Sequence, residues 1–196
     1  MRRALVLGPG GVAATAWLAG LITGLRREGV DLSAADLVVG TSAGAVAAAM
    51  LATGAPLDTP PESHADLLRD AEWPARRLLI AAVDASSGER AVFDIFGGVP
   101  LPAAVAASRA DPAVTIGGRR YTDPGTATNA DLAGGAERVL VLEPLSLGGA
   151  VSTIVPDAPL TAGAWSPSFH SGVRQAAESA AQAAEVWHGP RRRQAS

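Results

Sequence analysis

Gly40-Thr41-Ser42-Ala43-Gly44 is a G-x-S-x-G set between an apolar run, Asp36-Leu37-Val38-Val39, and an alanine-rich stretch, 45–52, that Gly54 closes. A strand, a sharp turn and a helix are the context in which this pattern makes a nucleophile elbow. Gly40 and Gly44 let the backbone turn without a Cβ clash. The turn then lifts the Ser42 hydroxyl to the carboxyl edge of a sheet and to a helix N-terminus, where negative charge is favoured. The same residues also read as an ordinary glycine-rich turn with Ser42 as a helix N-cap.

A second glycine loop, Gly8-Pro9-Gly10-Gly11, follows the apolar run Ala4-Leu5-Val6-Leu7. Its Gly10 and Gly11 amides are suited to receive the oxyanion of a tetrahedral intermediate. Gly8, Gly10 and Ala13 also fit the dinucleotide fingerprint G-x-G-x-x-G/A, whose acidic partner should close the second strand. That strand closes with Gly40 and the serine turn instead, so acyl transfer fits the two loops better than nucleotide binding. Asp123, in Asp123-Pro124-Gly125 at the end of a hairpin strand, is placed where a base is useful.

The elements that must position these groups alternate. Trp17, Leu18, Leu21, Ile22 and Leu25 mark one face of a helix that Arg26, Arg27 and Gly29 end. Residues 55–75 hold Pro56, Pro60, Pro61 and Pro74 and read as a loop with one short helix. Strands follow at 78–84 and 90–93, joined by a turn at 86–88, then an Ala-rich helix at 101–110. A tight hairpin is expected over 114–123 and a buried strand over 138–142. Val173, Ala176, Ala180, Ala184 and Trp187 recur at helical spacing, giving a helix expected to pack on the sheet. Strands alternating with helices predict an α/β fold, a three-layer α/β/α arrangement with a mostly parallel sheet. One domain over 1–190 with a basic flexible tail at 191–196 is expected.

The composition narrows the chemistry. The 16 basic residues are all arginine, which removes Schiff-base chemistry and the phosphate-binding lysine of P-loops. With no cysteine, thiolate nucleophiles, disulfides and Cys-ligated metals are excluded. Three histidines, His64, His170 and His188, show no metal-ligand spacing, so no metal and no cofactor is expected. A net charge of −3 without a broad basic face argues against nucleic acid as a partner. No apolar run approaches the roughly 20 residues that span a bilayer, and Gly8-Pro9 interrupts any signal-peptide core. The expected location is cytoplasmic, with peripheral membrane contact left open. Oligomeric state is not legible.

Taken in order, Gly10-Gly11-Val12, Gly40-Thr41-Ser42-Ala43-Gly44, and Tyr121-Thr122-Asp123-Pro124-Gly125 with Thr128-Asn129-Ala130-Asp131-Leu132 resemble the bacterial patatin-like phospholipases. The resemblance covers most of 3–145, including Trp73-Pro74 and Ala82-Val83-Asp84, and it implies a shortened member. It implies a Ser-Asp dyad acting on lipid or other acyl esters: Ser42 as nucleophile, Asp123 as base, and Gly10 and Gly11 as the oxyanion hole. In that reading the histidines are surface or capping residues; the alternative is a triad of Ser42, Asp123 and His170. The chain departs from the family pattern at Pro9, Ala13, Ala14 and Pro124. Pro124 directs Asp123 toward extended backbone. The stretch from Gly54 to Trp73 is short, so a thinned cap and an open site are expected. A catalytically silent lipid- or acyl-binding module is the rival reading.

Overall fold

A computed structural model of the chain describes residues 2–146 and 152–189. In chain order the elements are β1 (Arg3–Leu7), α1 (Val12–Arg27), β2 (Leu37–Thr41), α2 (Ala43–Thr53), α3 (His64–Leu68), β3 (Arg77–Asp84) and β4 (Arg90–Phe93). They continue as α4 (Leu101–Ser108), β5 (Val114–Ile116), β6 (Arg119–Thr122), β7 (Arg138–Leu142), β8 (Ser152–Ile154) and α5 (Trp165–His188). The described strands form one mixed sheet. Its centre is parallel, β3-β2-β1-β7-β8, while β4 and the β5–β6 hairpin join antiparallel at β3.

The side-chain period of two divides each strand between two faces. Leu5, Leu7, Val38, Ile80, Leu140 and Leu142 face the larger core, built with α1, α2, α4 and α5. Ala4, Val6, Val39, Leu79 and Val141 face the other way. That second layer is thin: a 3-10 turn at Ala130–Ala133 and its flanks cover it. The arrangement is three-layered, as expected, with its helical mass on one side.

Two differences from the sequence reading have physical causes. The last helix begins at Trp165 rather than near Val173. Pro167 masks its start, yet proline is tolerated in a first turn, where amides have no intrahelical acceptor. Gly172, also before Val173, is the point where α5 presses on α1: a Cβ there would lie 2.3 Å from the Trp17 carbonyl oxygen. Gly20 and Gly24 make the matching approach from α1, against Phe169 and Val173. The helix packs chiefly on α1 and reaches the sheet at β7. The second difference is β8, three residues with Ser and Thr, too short and polar to register as a strand. The expected basic tail at 191–196 lies outside the described residues.

Topology carries the acid to the serine. Ala81 of β3 pairs with Thr41 of β2, and beyond the point where β2 turns away, Val83 pairs with Thr122 of β6. Because Val83 also pairs with Arg90 of β4, β6 must occupy the same edge that β2 leaves. Asp123, the next residue, therefore arrives directly beyond the end of β2.

Candidate active site

Ser42 sits at φ 52° and ψ −113°, a backbone region that costs a non-glycine residue on the order of 1–3 kcal/mol. The surrounding glycines make the turn that holds it. A Cβ on Gly44 would come within 2.0 Å of the Leu7 carbonyl oxygen, and one on Gly40 within 2.7 Å of the Ala45 Cα. The Gly44 amide donates to the Gly8 carbonyl at 3.1 Å, tying the serine turn to the first glycine loop. Both glycines of the motif are thus fixed by close backbone approach.

The Ser42 hydroxyl donates to Asp123 Oδ2 at 2.5 Å and lies 3.3 Å from the Gly10 carbonyl oxygen. Asp123 is anchored at its backbone, where its amide donates to the Ala110 carbonyl at 3.0 Å. Its other carboxylate oxygen accepts from the Gly125 amide at 2.8 Å. Gly125 turns with φ 70°, so the bend that Pro124 cannot make falls one residue later. Among the described residues, the amides of Gly10 and Gly11 donate to no group of the protein. Gly10 lies at φ 144°, where a Cβ would strike the Ala14 Cβ at 2.4 Å, and Gly11 is exposed.

Two supports hold the turn, the first of them without a signal in the sequence. Ser108, fully buried at the end of α4, accepts from the Ser42 amide at 2.8 Å and donates to the Ala81 carbonyl at 2.6 Å. It pins the serine turn to β3. A lone serine in an alanine helix carries no periodic signal. The second support joins the turn to the acid's own loop: Asn129, at φ 56°, donates through Nδ2 to the Thr41 hydroxyl at 3.0 Å. Its Oδ1 accepts from Arg90 at 3.2 Å, and Arg90 makes a two-point bridge to Asp131 at 2.8 and 2.7 Å. The Arg90 hydrogen bond holds the Asp131 carboxyl below the usual carboxylate range.

The histidines stand apart. His170 is exposed, with its ring nitrogen 3.3 Å from the Ser166 hydroxyl on its own helix, and His188 is exposed in the last turn of α5. His64 is a correction to the expected surface role: it is buried, with Nε2 2.8 Å from the Thr59 carbonyl and its ring edge-on to Trp165. Burial pulls its pKa below the ordinary value. The Ser42–Asp123 pair is assembled without any of the three. Among the described residues no cluster of three or more His, Asp or Glu side chains is set to hold a metal ion, and no helix is long and apolar enough to cross a membrane. A surface hollow of about 660 Å³ opens between the end of α2 and α3, at the opposite end of α2 from Ser42. It is separate from the Ser42–Asp123 pair.

The Glu143 carboxyl lies against Gly8, where a Cβ would meet Oε1 at 2.7 Å, and β2 ends in the serine turn rather than in a ribose-binding acid. No curated protein matches the chain. Residues 5–101, about half of it, match the family model described as patatin-like phospholipase. That stretch holds both glycine loops and Ser42 and ends at the start of α4, before Asp123. Through this match the chain belongs to the patatin-like phospholipase family.

Proposed function

We propose that the protein is a serine acyl-ester hydrolase acting on lipid esters through Ser42 and Asp123. The family supports lipid acyl hydrolysis in general. The observation that carries the specific reading is the 2.5 Å hydrogen bond from the Ser42 hydroxyl to the Asp123 carboxylate on a strained turn. Asp123 takes the hydroxyl proton as Ser42 Oγ attacks the ester carbonyl carbon. The developing oxyanion is received by the Gly10 and Gly11 amides. Collapse expels the alcohol, which leaves with the proton from Asp123, and an acyl-enzyme remains on Ser42. Asp123 then removes a proton from water as it attacks the acyl carbonyl; the acid departs and Ser42 is reprotonated. An imidazole is not needed where a positioned carboxylate has hydrogen-bond reach of the reacting hydroxyl.

The test is intact-mass labelling with an alkyl fluorophosphonate, which reports the nucleophile and its oxyanion donors without a chosen substrate. One adduct is expected on the wild type, none on Ser42→Ala, a loss of more than about a hundredfold in rate on Asp123→Asn, and no change on His170→Ala. A folded wild type that takes no adduct overturns the reading in favour of a silent acyl-binding module. The short connection between α2 and β3 favours short and single-chain esters over long two-chain phospholipids.

A further inference from the structure

Glu143, the residue after β7, is 2% exposed and has no role in the proton path above. Alternation along β7 puts it on the thinly covered face of the sheet with Val141. Its carboxyl occupies the space beside the Gly8 α-carbon: a Cβ there would lie 2.7 Å from Oε1 and 3.0 Å from Cδ. The next two residues continue the contact under the loop, since a Cβ on Gly10 would meet Pro144 and Leu145 each at 3.8 Å. The segment 143–145 is therefore the floor on which the loop of Gly10 and Gly11 rests.

That floor contains an unmet polar atom. The Leu145 amide serves the carboxyl, but Oε1 is buried without a hydrogen-bond partner. Among the described residues no cation pairs with it. Among the described residues, the neighbours set against it are Gly8 after β1 and Ile154 at the end of β8, whose carbonyl accepts from the Glu143 amide at 2.9 Å, and neither is charged. Of the titratable groups at this end of the sheet, Asp123 is engaged with Ser42, Asp131 with Arg90, and Asp157 is exposed. A buried carboxylate with one donor and no counter-charge is strongly disfavoured, whereas the neutral acid fits. Burial pushes Glu143 up to about 7.

We infer that Glu143 is a positioning residue of the oxyanion loop, supporting Gly10 and Gly11 as a neutral acid and withdrawing that support when it ionises. Two effects act together on ionisation. The carboxylate seeks a second donor from the loop it abuts at Gly8, and its charge opposes the negative intermediate that the loop amides must receive. The inference rests on the hydrolase reading, and the test separates the two. Fluorophosphonate labelling of the wild type is expected to slow by on the order of tenfold or more between pH 6 and 9. In Glu143→Gln, which keeps the neutral shape, that fall is expected to be absent. The Gly10 and Gly11 amide resonances of the wild type should shift through the same pH interval and stay still in the variant. Matching pH profiles for the two proteins, or loop amides that do not respond, overturn the inference. Absence of labelling at every pH overturns the hydrolase reading instead, and the amide titration then still decides the role of Glu143. Should Glu143→Gln fail to fold, the wild-type amide titration decides alone: a shared inflection supports the inference and none overturns it.

Discussion

Ser108→Ala removes one hydroxyl and unpairs two groups. The Ser42 amide and the Ala81 carbonyl lose their partner in a place where Ser108 itself has no solvent exposure. Each buried group left without a hydrogen bond costs about 1–3 kcal/mol. Alanine recovers about 0.5 kcal/mol of helix propensity at the end of α4. The net expectation is a loss of about 1.5–5.5 kcal/mol, which for a domain of this size corresponds to a fall in Tm of roughly 3–20 °C. Function should suffer separately. The Ser42 backbone at φ 52° is held in place partly by this bond, so a folded molecule without it lets the turn relax and the hydroxyl leave Asp123. Urea unfolding followed by tryptophan fluorescence gives the first quantity; the fluorophosphonate rate, well below the transition, gives the second. A stability loss under about 0.5 kcal/mol, or a labelling rate within about twofold of wild type, would refute the reasoning, because either shows that the buried amide finds another partner at no cost.

Three further outcomes are expected. Ser42→Gly should raise stability by about 1 kcal/mol while abolishing labelling, the relief of strain exceeding the entropy glycine adds to the unfolded chain; equal or lower stability in urea would remove the strain argument. Glu143 has its folded pKa raised to about 7 from an ordinary 4.5, so its stabilising balance is intact below pH 4.5 and is lost as pH rises through 7. Glu143→Gln should therefore gain on the order of 2–3 kcal/mol relative to wild type between pH 5 and 8, and a constant difference across that range would show the group ionises freely. Gly172→Ala drives a methyl to 2.3 Å from the Trp17 carbonyl oxygen and should cost about 3 kcal/mol or more, read as a lowered urea midpoint.

Much of the fold was legible because the strands are short apolar runs bounded by glycine or proline. Leu37 to Val39 and Arg138 to Leu142 announce themselves in that way, and the alanines after Ser42 have no other use than a helix. The pairing of Ser42 with Asp123 followed from motif order, and the topology that delivers it, β6 taking the edge of β3 that β2 leaves, is a tertiary fact with no local signature. What stayed hidden was whatever depends on a partner far along the chain. The start of α5 was missed because Pro167 belongs to its first turn and Gly172 to a contact with α1. His64 read as surface because its burial comes from Thr59 and Trp165. Glu143 gave no signal in the sequence, since only the fold brings its carboxyl against Gly8.

The glycine seam between α1 and α5 sets a timetable for synthesis. The Trp17 indole donates to Gln175, a partner 158 residues later. At ordinary elongation rates that interval is roughly 10–30 s. Through that time the nascent α1 has its sheet-facing side offered to β1 and β2 but its outer side, with the bare backbone at Gly20 and Gly24, unmatched. The helix follows the loop of Gly10 and Gly11, so the element next to that loop gains its outer partner only when α5 is made. Packing of α1 is thus completed in two stages, first against α2 and last against α5.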